Sequence, residues 1–227
     1  MKKLLLLFSI LFSVFTSAQD TKFKFGIQAG LNYSGLRGYS IPSEFEQQYD
    51  ESAAFAYLGG VSLEYQLQEK LSLRVELNYE RKSQKADNTM EIRFNFDQEP
   101  QLYNFTTRKN YDYLIVPILL KYSFTDKNSF FVNGGPFIGY LLKSTFTNDL
   151  EVPNFETPNE DMTKDSKKTD FGFSAGVGKN FELGNNKMIH LEIRNNLGLA
   201  KINKNDVWNG GHVSTNSVNF IVGFSFN

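Results

Sequence analysis

The chain has 227 residues, of which 41% are hydrophobic and 22% charged, and this composition suits one ordered domain. The formal net charge is −1 and no basic cluster stands out, which argues against nucleic acid as a partner. The absence of cysteine excludes a disulfide framework, a thiol nucleophile and a cysteine-ligated metal. Aromatic residues reach 15%, and tyrosine and phenylalanine favour strands.

The first 18 residues, MKKLLLLFSILFSVFTSA, have the pattern of a cleaved signal peptide. Lys2 and Lys3 form the positive start, an apolar stretch follows, and small residues end at Ala18. The apolar stretch is too short for a spanning helix, which needs about 20 residues. We therefore predict a signal peptide over 1–18 and one β-barrel domain over 19–227.

Apolar and polar residues alternate with a period of two directly after the leader, as in strands with two different faces. Leucine, isoleucine and phenylalanine dominate one face, whereas glycine, serine, asparagine and charged residues fill the other. This contrast is typical of strands between lipid and a polar barrel interior. Pro117 cannot donate to a ladder, so a bulge or a break in pairing is expected there. Eight such runs cover 23–34, 54–67, 71–80, 109–124, 129–145, 170–181, 189–199 and 219–226.

Long and short connections alternate between these runs, and this alternation sets the topology. Short turns on one side and long loops on the other are typical of outer-membrane barrels. The sequence thus predicts an all-β, eight-stranded antiparallel up-and-down transmembrane barrel in the outer membrane of a Gram-negative cell. The loops expected to face outward are 35–52, 84–108, 146–168 and 202–214.

A soluble, exported lipocalin-like barrel that binds a lipophilic ligand is the main alternative, because it also has about eight strands. It would turn its apolar faces inward and its charges outward. The membrane interpretation is favoured by the length of the apolar faces, by the small residues opposite them, and by aromatic residues near the strand ends.

The segment Tyr113–Tyr122, YLIVPILLKY, resembles a mid-chain strand of the PorT-like outer-membrane barrel family. Similar motifs occur in order at 26–34, 134–140, 171–178 and 191–199. The resemblance implies an outer-membrane barrel and implies little about activity. Many members have an acidic residue where this chain has Ile115, so one interior charge is missing here.

By alternation, a set of charged side chains points into the lumen of the predicted barrel. Because an unpaired buried charge is very costly, these residues are expected to pair as a structural ion-pair cluster. The alternative is a small polar conduit, although barrels of this size are normally filled by side chains. The predicted lumen cluster consists of Glu64, Arg74, Glu76, Lys121, Glu192 and Arg194.

No motif predicts catalysis, a cofactor or a metal site, and we expect the protein not to be an enzyme. His190 is expected to face inward and to be hydrogen-bonded. His212 and Ser214 could form a hydrolase pair at the outer rim if a carboxylate lay near His212. Several loop carboxylates lack the spacing of a calcium loop, so solvated surface is their simpler interpretation.

The partners expected are outer-membrane lipids and, at loop 84–108, a protein. Ile92, Phe94 and Phe96 alternate with polar residues, which predicts that the third and fourth strands extend as a protruding hairpin. An exposed edge there could add a strand from a partner. The hypothesis is thus an interaction or adhesion protein, expected to be a monomer.

Overall fold

The computed structural model describes residues 22–38, 50–93, 99–124, 130–150, 159–184, 187–205 and 211–226. The predicted signal peptide lies outside these residues. No helix in the described ranges is long and apolar enough to cross a membrane. The strands are β1 Phe23–Arg37, β2 Asp50–Gln68, β3 Leu71–Ile92, β4 Gln101–Ser123, β5 Phe130–Leu150, β6 Glu160–Asp161, β7 Thr169–Gly184, β8 Lys187–Gly198 and β9 Ser214–Phe226.

Eight of these strands form a closed antiparallel ring in the order β1-β2-β3-β4-β5-β7-β8-β9. The ring closes between β9 and β1, which pair from Phe25↔Phe226 to Arg37↔Ser214. The two-residue β6 pairs with β5 outside the ring. Closure removes the open edges that a sheet could not satisfy in lipid. The predicted eight-stranded up-and-down barrel is therefore confirmed.

Apolar side chains cover the outside of the barrel. Phe55, Val61 and Ile138 are each more than half exposed, whereas Arg74 and Arg194 on the opposite face are buried. An apolar exterior around a charged interior suits lipid as the surrounding solvent. It is the reverse of the arrangement that a lipocalin-like barrel requires.

Aromatic side chains contact one another near both ends of the wall. Rings at these two levels match the interfacial belts of membrane barrels, where an amphipathic ring sits at headgroup height. The pairs on the loop side are Tyr33–Phe55 and Tyr57–Tyr79, and those on the turn side are Phe23–Tyr65 and Tyr122–Phe124.

The pairing of β4 is interrupted at its proline without a change of register. The β3–β4 pairs pass from Val75↔Ile118 to Asn78↔Ile115 and skip Pro117 between them. The structure thus has the expected break in pairing and no bulge at this point. Gly135 of β5 faces the same stretch, and a Cβ on it would lie 1.9 Å from the Ile118 carbonyl oxygen. The close approach of β4 and β5 therefore requires glycine at this position.

The strands β2 to β5 are much taller than the rest of the wall, and this corrects the predicted loop boundaries. They have 19 to 23 residues, against 12 to 16 in β1, β7, β8 and β9. A tilted membrane strand needs only about 9–11 residues. Most of 84–108 is thus strand rather than loop. This agrees with the prediction that the third and fourth strands extend as a protruding hairpin. We call residues 50–53, 84–92, 101–109 and 143–150 the projecting sheet.

The barrel interior as candidate functional site

The centre of the lumen contains two arginines and two glutamates from opposite walls. Arg194 of β8 donates two hydrogen bonds to the Glu76 carboxylate of β3, at 2.7 and 2.9 Å. Arg74 lies 2.8 Å from Glu76 and 3.4 Å from Glu192, while Arg194 also contacts Glu192. Each arginine therefore bridges both carboxylates, and the formal charge of this central tier is zero.

Neutral side chains add further hydrogen bonds around the central tier. Gln28 donates to Glu76 at 2.8 Å and accepts from Arg74 at 2.6 Å. Asn133 donates to Glu192 at 2.9 Å. His190 faces inward and lies 3.0 Å from an Arg74 guanidinium nitrogen. The tier thus joins β1, β3, β5 and β8 across the full width of the lumen.

A second ion pair lies nearer the short turns. The Lys121 ammonium donates to the Glu64 carboxylate at 2.9 Å and lies 4.5 Å from the centre of the Phe131 ring. The structure therefore brings four of the six predicted lumen residues together in the central tier and places the other two in this separate pair.

Above the central tier, Glu80 is buried among neutral donors. Its carboxylate accepts hydrogen bonds from Asn32 and Ser217 at 2.8 Å each, from Asn196 at 3.0 Å and from Asn219 at 3.3 Å. These four donors stabilise the buried carboxylate, and no cation among the described residues pairs with it. The sequence placed Glu80 on the polar face, but the predicted cluster left it out.

The uppermost tier pairs Lys82 with Asp170, and the sequence analysis missed both residues. The Lys82 ammonium lies 3.2 Å from Asp170 and donates to Thr215 at 2.8 Å. Its other neighbours are the rings of Tyr113 and Phe137, at 5.4 and 5.2 Å. Strict alternation from Glu80 to Lys82 was the signal that could have found this lysine.

One side of the lumen is apolar, contrary to the expectation of a polar interior throughout. Tyr113 and Ile115 of β4 pack with Phe137 and Leu141 of β5, and none is more than 3% exposed. Ile115, where the family resemblance implied a missing interior charge, is packed among these side chains. Nearer the loops than the central tier, the interior is therefore filled by the Lys82–Asp170 pair on one side and by this hydrophobic cluster on the other.

The rim histidine does not approach a carboxylate within the part of the chain that the structure describes. The His212 Nε2 atom lies 3.2 Å from the Leu199 carbonyl oxygen. Across the same residues, no group of three histidine or carboxylate side chains is arranged to hold a metal ion. The arrangement as a whole fills and rigidifies the barrel.

A closed ring of strands, an apolar exterior with aromatic belts and an ion-paired interior define an integral outer-membrane β-barrel protein. A family model described as outer membrane protein beta-barrel domain matches residues 17–204. The chain belongs to this family, and its location is the cell outer membrane. A comparison with curated proteins finds no match.

Solved structures with a similar chain trace are small outer-membrane barrels. Neisserial surface protein A is 14% identical, with 89% of this chain and 96% of that chain covered and a TM-score of 0.43. OprG of Pseudomonas aeruginosa is 12% identical, with coverage of 90% and 95% and a TM-score of 0.44. Ail of Yersinia pestis is 10% identical, with coverage of 91% and 100% and a TM-score of 0.41.

Proposed function

We propose that this barrel acts as a cell-surface interaction protein that binds an extended segment of a protein partner along its projecting sheet. One observation carries the proposal. The hairpin of β3 and β4 continues to Ile92↔Gln101, whereas the pairing of β2 with β3 ends at Asp50↔Asp87. Within the described ranges, residues 88–92 of β3 therefore pair on one side only.

A strand edge of this kind supports binding by strand addition. On this side the described residues give its N–H and C=O groups no strand partner, so these groups match the main chain of an extended peptide, and alternate side chains supply specificity. Leu102, directly across from Glu91, is 69% exposed and offers an apolar contact beside this edge. The partner chemistry that fits is an extended segment with alternating apolar residues.

The base of the hairpin is held in place before any partner arrives. Thr106 donates to the Asp87 carboxylate at 2.8 Å, and Thr89 contacts Asn104 across the two strands at 3.3 Å. Lys85 adds an ion pair to Asp87. Because the edge is ordered in advance, binding has less conformational entropy to overcome.

Photo-crosslinking in intact cells tests this proposal. A benzoylphenylalanine at Thr89 is expected to give a discrete protein adduct, and the same probe at the lipid-facing Val61 is not. Glu91→Pro removes a backbone donor and should abolish the adduct, whereas Glu91→Gln keeps that donor and should retain it. An adduct that survives Glu91→Pro, or none at Thr89 in a barrel whose gel mobility still changes on boiling, would contradict the proposal.

We further propose that the protein is not an enzyme. The charged lumen groups are paired with one another or, at Glu80, hydrogen-bonded to neutral side chains, and His212 contacts a main-chain oxygen. His212→Ala should therefore leave the partner adduct unchanged and should remove no hydrolytic activity from purified barrel. Loss of an esterase or protease activity in this variant would reverse the assignment.

A further inference from the structure

We propose that the outer wall of the barrel binds one anionic phospholipid of the periplasmic leaflet, in a groove that crosses β5, β7, β8, β9 and β1. The groove has a volume of about 730 Å³ and is lined almost entirely by apolar atoms. It lies on the lipid-facing surface, away from the projecting sheet, so this site is independent of the proposed protein partner.

Two neighbouring rows of outward-facing residues cross this part of the wall, and all of their members except Ala29 line the groove. Members of a row are cross-strand partners, so each row runs across five strands and spans four strand spacings, about 19 Å. The row nearer the loops is Val132↔Val177↔Ile193↔Phe220↔Leu31, and the row nearer the turns is Phe130↔Lys179↔Leu191↔Val222↔Ala29. An elongated apolar trough of this length suits a fatty acyl chain.

Lys179 is the one charged residue in these two rows, and it sits between aromatic rings. Its ammonium lies 4.9 Å from the centre of the Phe130 ring and 5.1 Å from that of Phe181. Throughout the described ranges Lys179 forms no salt bridge with a carboxylate. A cation on a lipid-facing wall is costly unless an anion or water reaches it, so its ammonium is available to a ligand.

The height of Lys179 identifies the anion that can reach it. Phe130 is the first residue of β5, and Lys179 lies five positions before the end of β7 at Gly184, both on the side of the short turns. In an outer-membrane barrel this is the periplasmic side. Headgroup phosphates of the periplasmic leaflet lie there, and a lysine reaches such a level by extending along the wall.

Charge and shape together select the ligand class. The groove accepts an acyl chain, and the lysine at its periplasmic end accepts a headgroup phosphate. A headgroup with a net negative charge fits better than a zwitterionic one, whose own cation competes with Lys179. A single lysine at a membrane surface favours the anionic lipid about fivefold.

Native mass spectrometry of the full mature barrel in dodecyl maltoside tests the site. Dioleoylphosphatidylglycerol and dioleoylphosphatidylcholine are added separately, and the retained lipid is counted. Wild type should retain dioleoylphosphatidylglycerol about fivefold better than dioleoylphosphatidylcholine. In Lys179→Gln, retention of the glycerol lipid should fall to the level of the choline lipid. Lys187→Gln is the matched control, because Lys187 is exposed at the start of β8 and lines no part of the groove.

A second pair of variants tests the groove separately from the charge. Val177→Trp fills the trough and should lower retention of both lipids. Val61→Trp adds the same bulk at a similarly exposed lipid-facing site outside the groove and should leave retention unchanged. Equal retention of the two lipids by wild type, or unchanged retention in Lys179→Gln, overturns the proposal. If the wild-type barrel is a dimer and only Val177→Trp dissociates it, the groove is a contact between two copies of the barrel, and the lipid proposal is overturned.

Discussion

At the scale of single residues, the central tier depends on the planar guanidinium groups of Arg74 and Arg194. Arg194 makes two parallel hydrogen bonds with Glu76, a geometry that a lysine cannot reproduce. Both carboxylates are almost fully buried, so each relies on these cations for stabilisation. Removal of one partner would leave an uncompensated charge inside the barrel.

Arg194→Met is therefore expected to lower the free energy of unfolding by about 3–5 kcal/mol. Urea titration of the barrel in lipid vesicles, followed by circular dichroism, measures this change. Lys187→Met is the exposed control and should stay within about 0.5 kcal/mol of wild type. Adding Glu76→Gln to Arg194→Met should restore part of the loss. An Arg194 variant as stable as wild type would show that the ion pairs contribute little.

Asp87 in the projecting sheet makes that sheet sensitive to acid. The Lys85 ammonium and the Thr106 hydroxyl donate to its carboxylate, and together they hold the pKa of Asp87 below its ordinary value of 3.8. A pKa that is lowered on folding means that the contact stabilises the sheet above pH 3.8. This stabilisation is lost as the pH falls through the folded-state pKa.

Acid should therefore loosen the base of the hairpin. Hydrogen exchange of the 85–88 and 105–107 amides, corrected for the intrinsic effect of pH, should show less protection well below pH 3.8 than at neutral pH. Asp87→Asn is expected to be less protected at neutral pH and to lack the additional acid-dependent loss. Equal protection of wild type at both pH values would contradict this role of the Asp87 contacts.

At the scale of elements, alternation predicted strands where one face meets lipid and the other a polar lumen. Alternation identified β1, β7 and β8 correctly, because the two faces of each of these strands differ sharply in polarity. In β4 it was blurred, because Tyr113, Ile115 and Leu119 face the interior and are as apolar as the lipid side. The upper parts of β3 and β4 fell within the predicted loop 84–108, because their residues are mostly polar on both faces; the alternation around Ile92 alone predicted a protruding hairpin there.

The close approach of β4 and β5 gives a prediction at adjacent glycines. Gly135→Ala would place a methyl group 1.9 Å from the Ile118 carbonyl oxygen, so the two strands must separate. At Gly134 the nearest atom would be 3.5 Å away, which is ordinary contact. Gly135→Ala should therefore cost on the order of 2 kcal/mol of unfolding free energy, and Gly134→Ala should cost little.

The same urea titration in vesicles compares these two variants. Because both replace glycine by alanine in neighbouring positions of one strand, their difference isolates the close contact from the general effect of losing a glycine. Equal stability of the two variants would mean that β5 shifts away from β4 without cost.

At the scale of the whole molecule, ring closure decides which charges meet. Glu76 and Arg194 are 118 positions apart in sequence, and they touch only because opposite walls of the barrel face each other. Alternation could place both residues inside, but it contains no information on height or on the facing strand. Six of the lumen charges were therefore predictable as a set, whereas their division into tiers and the pairing of Lys82 with Asp170 were not.

The interior contains two different blocks in series, and this arrangement predicts how the barrel conducts ions. The central tier spans the lumen at the level of Arg74, and Ile115 packs beside Phe137 nearer the loops. In planar bilayers the wild-type barrel should give no steady current. Replacing only Arg74, Glu76, Glu192 and Arg194 by alanine keeps the formal charge of the tier at zero. Water should then enter the central part of the lumen, but the current should stay small because the apolar cluster still blocks the part nearer the loops.

Combining this fourfold change with Ile115→Ala and Phe137→Ala opens both blocks and leaves the Lys82–Asp170 and Lys121–Glu64 pairs in the lumen, so it should give more current than either partial variant. Ile115→Ala and Phe137→Ala without the fourfold change are the matched control and should stay closed, because the ion pairs still span the lumen. Gel mobility before and after boiling establishes that each variant is folded. A steady current through wild type, or through either partial variant at the level of the full combination, would mean that the two blocks do not act in series.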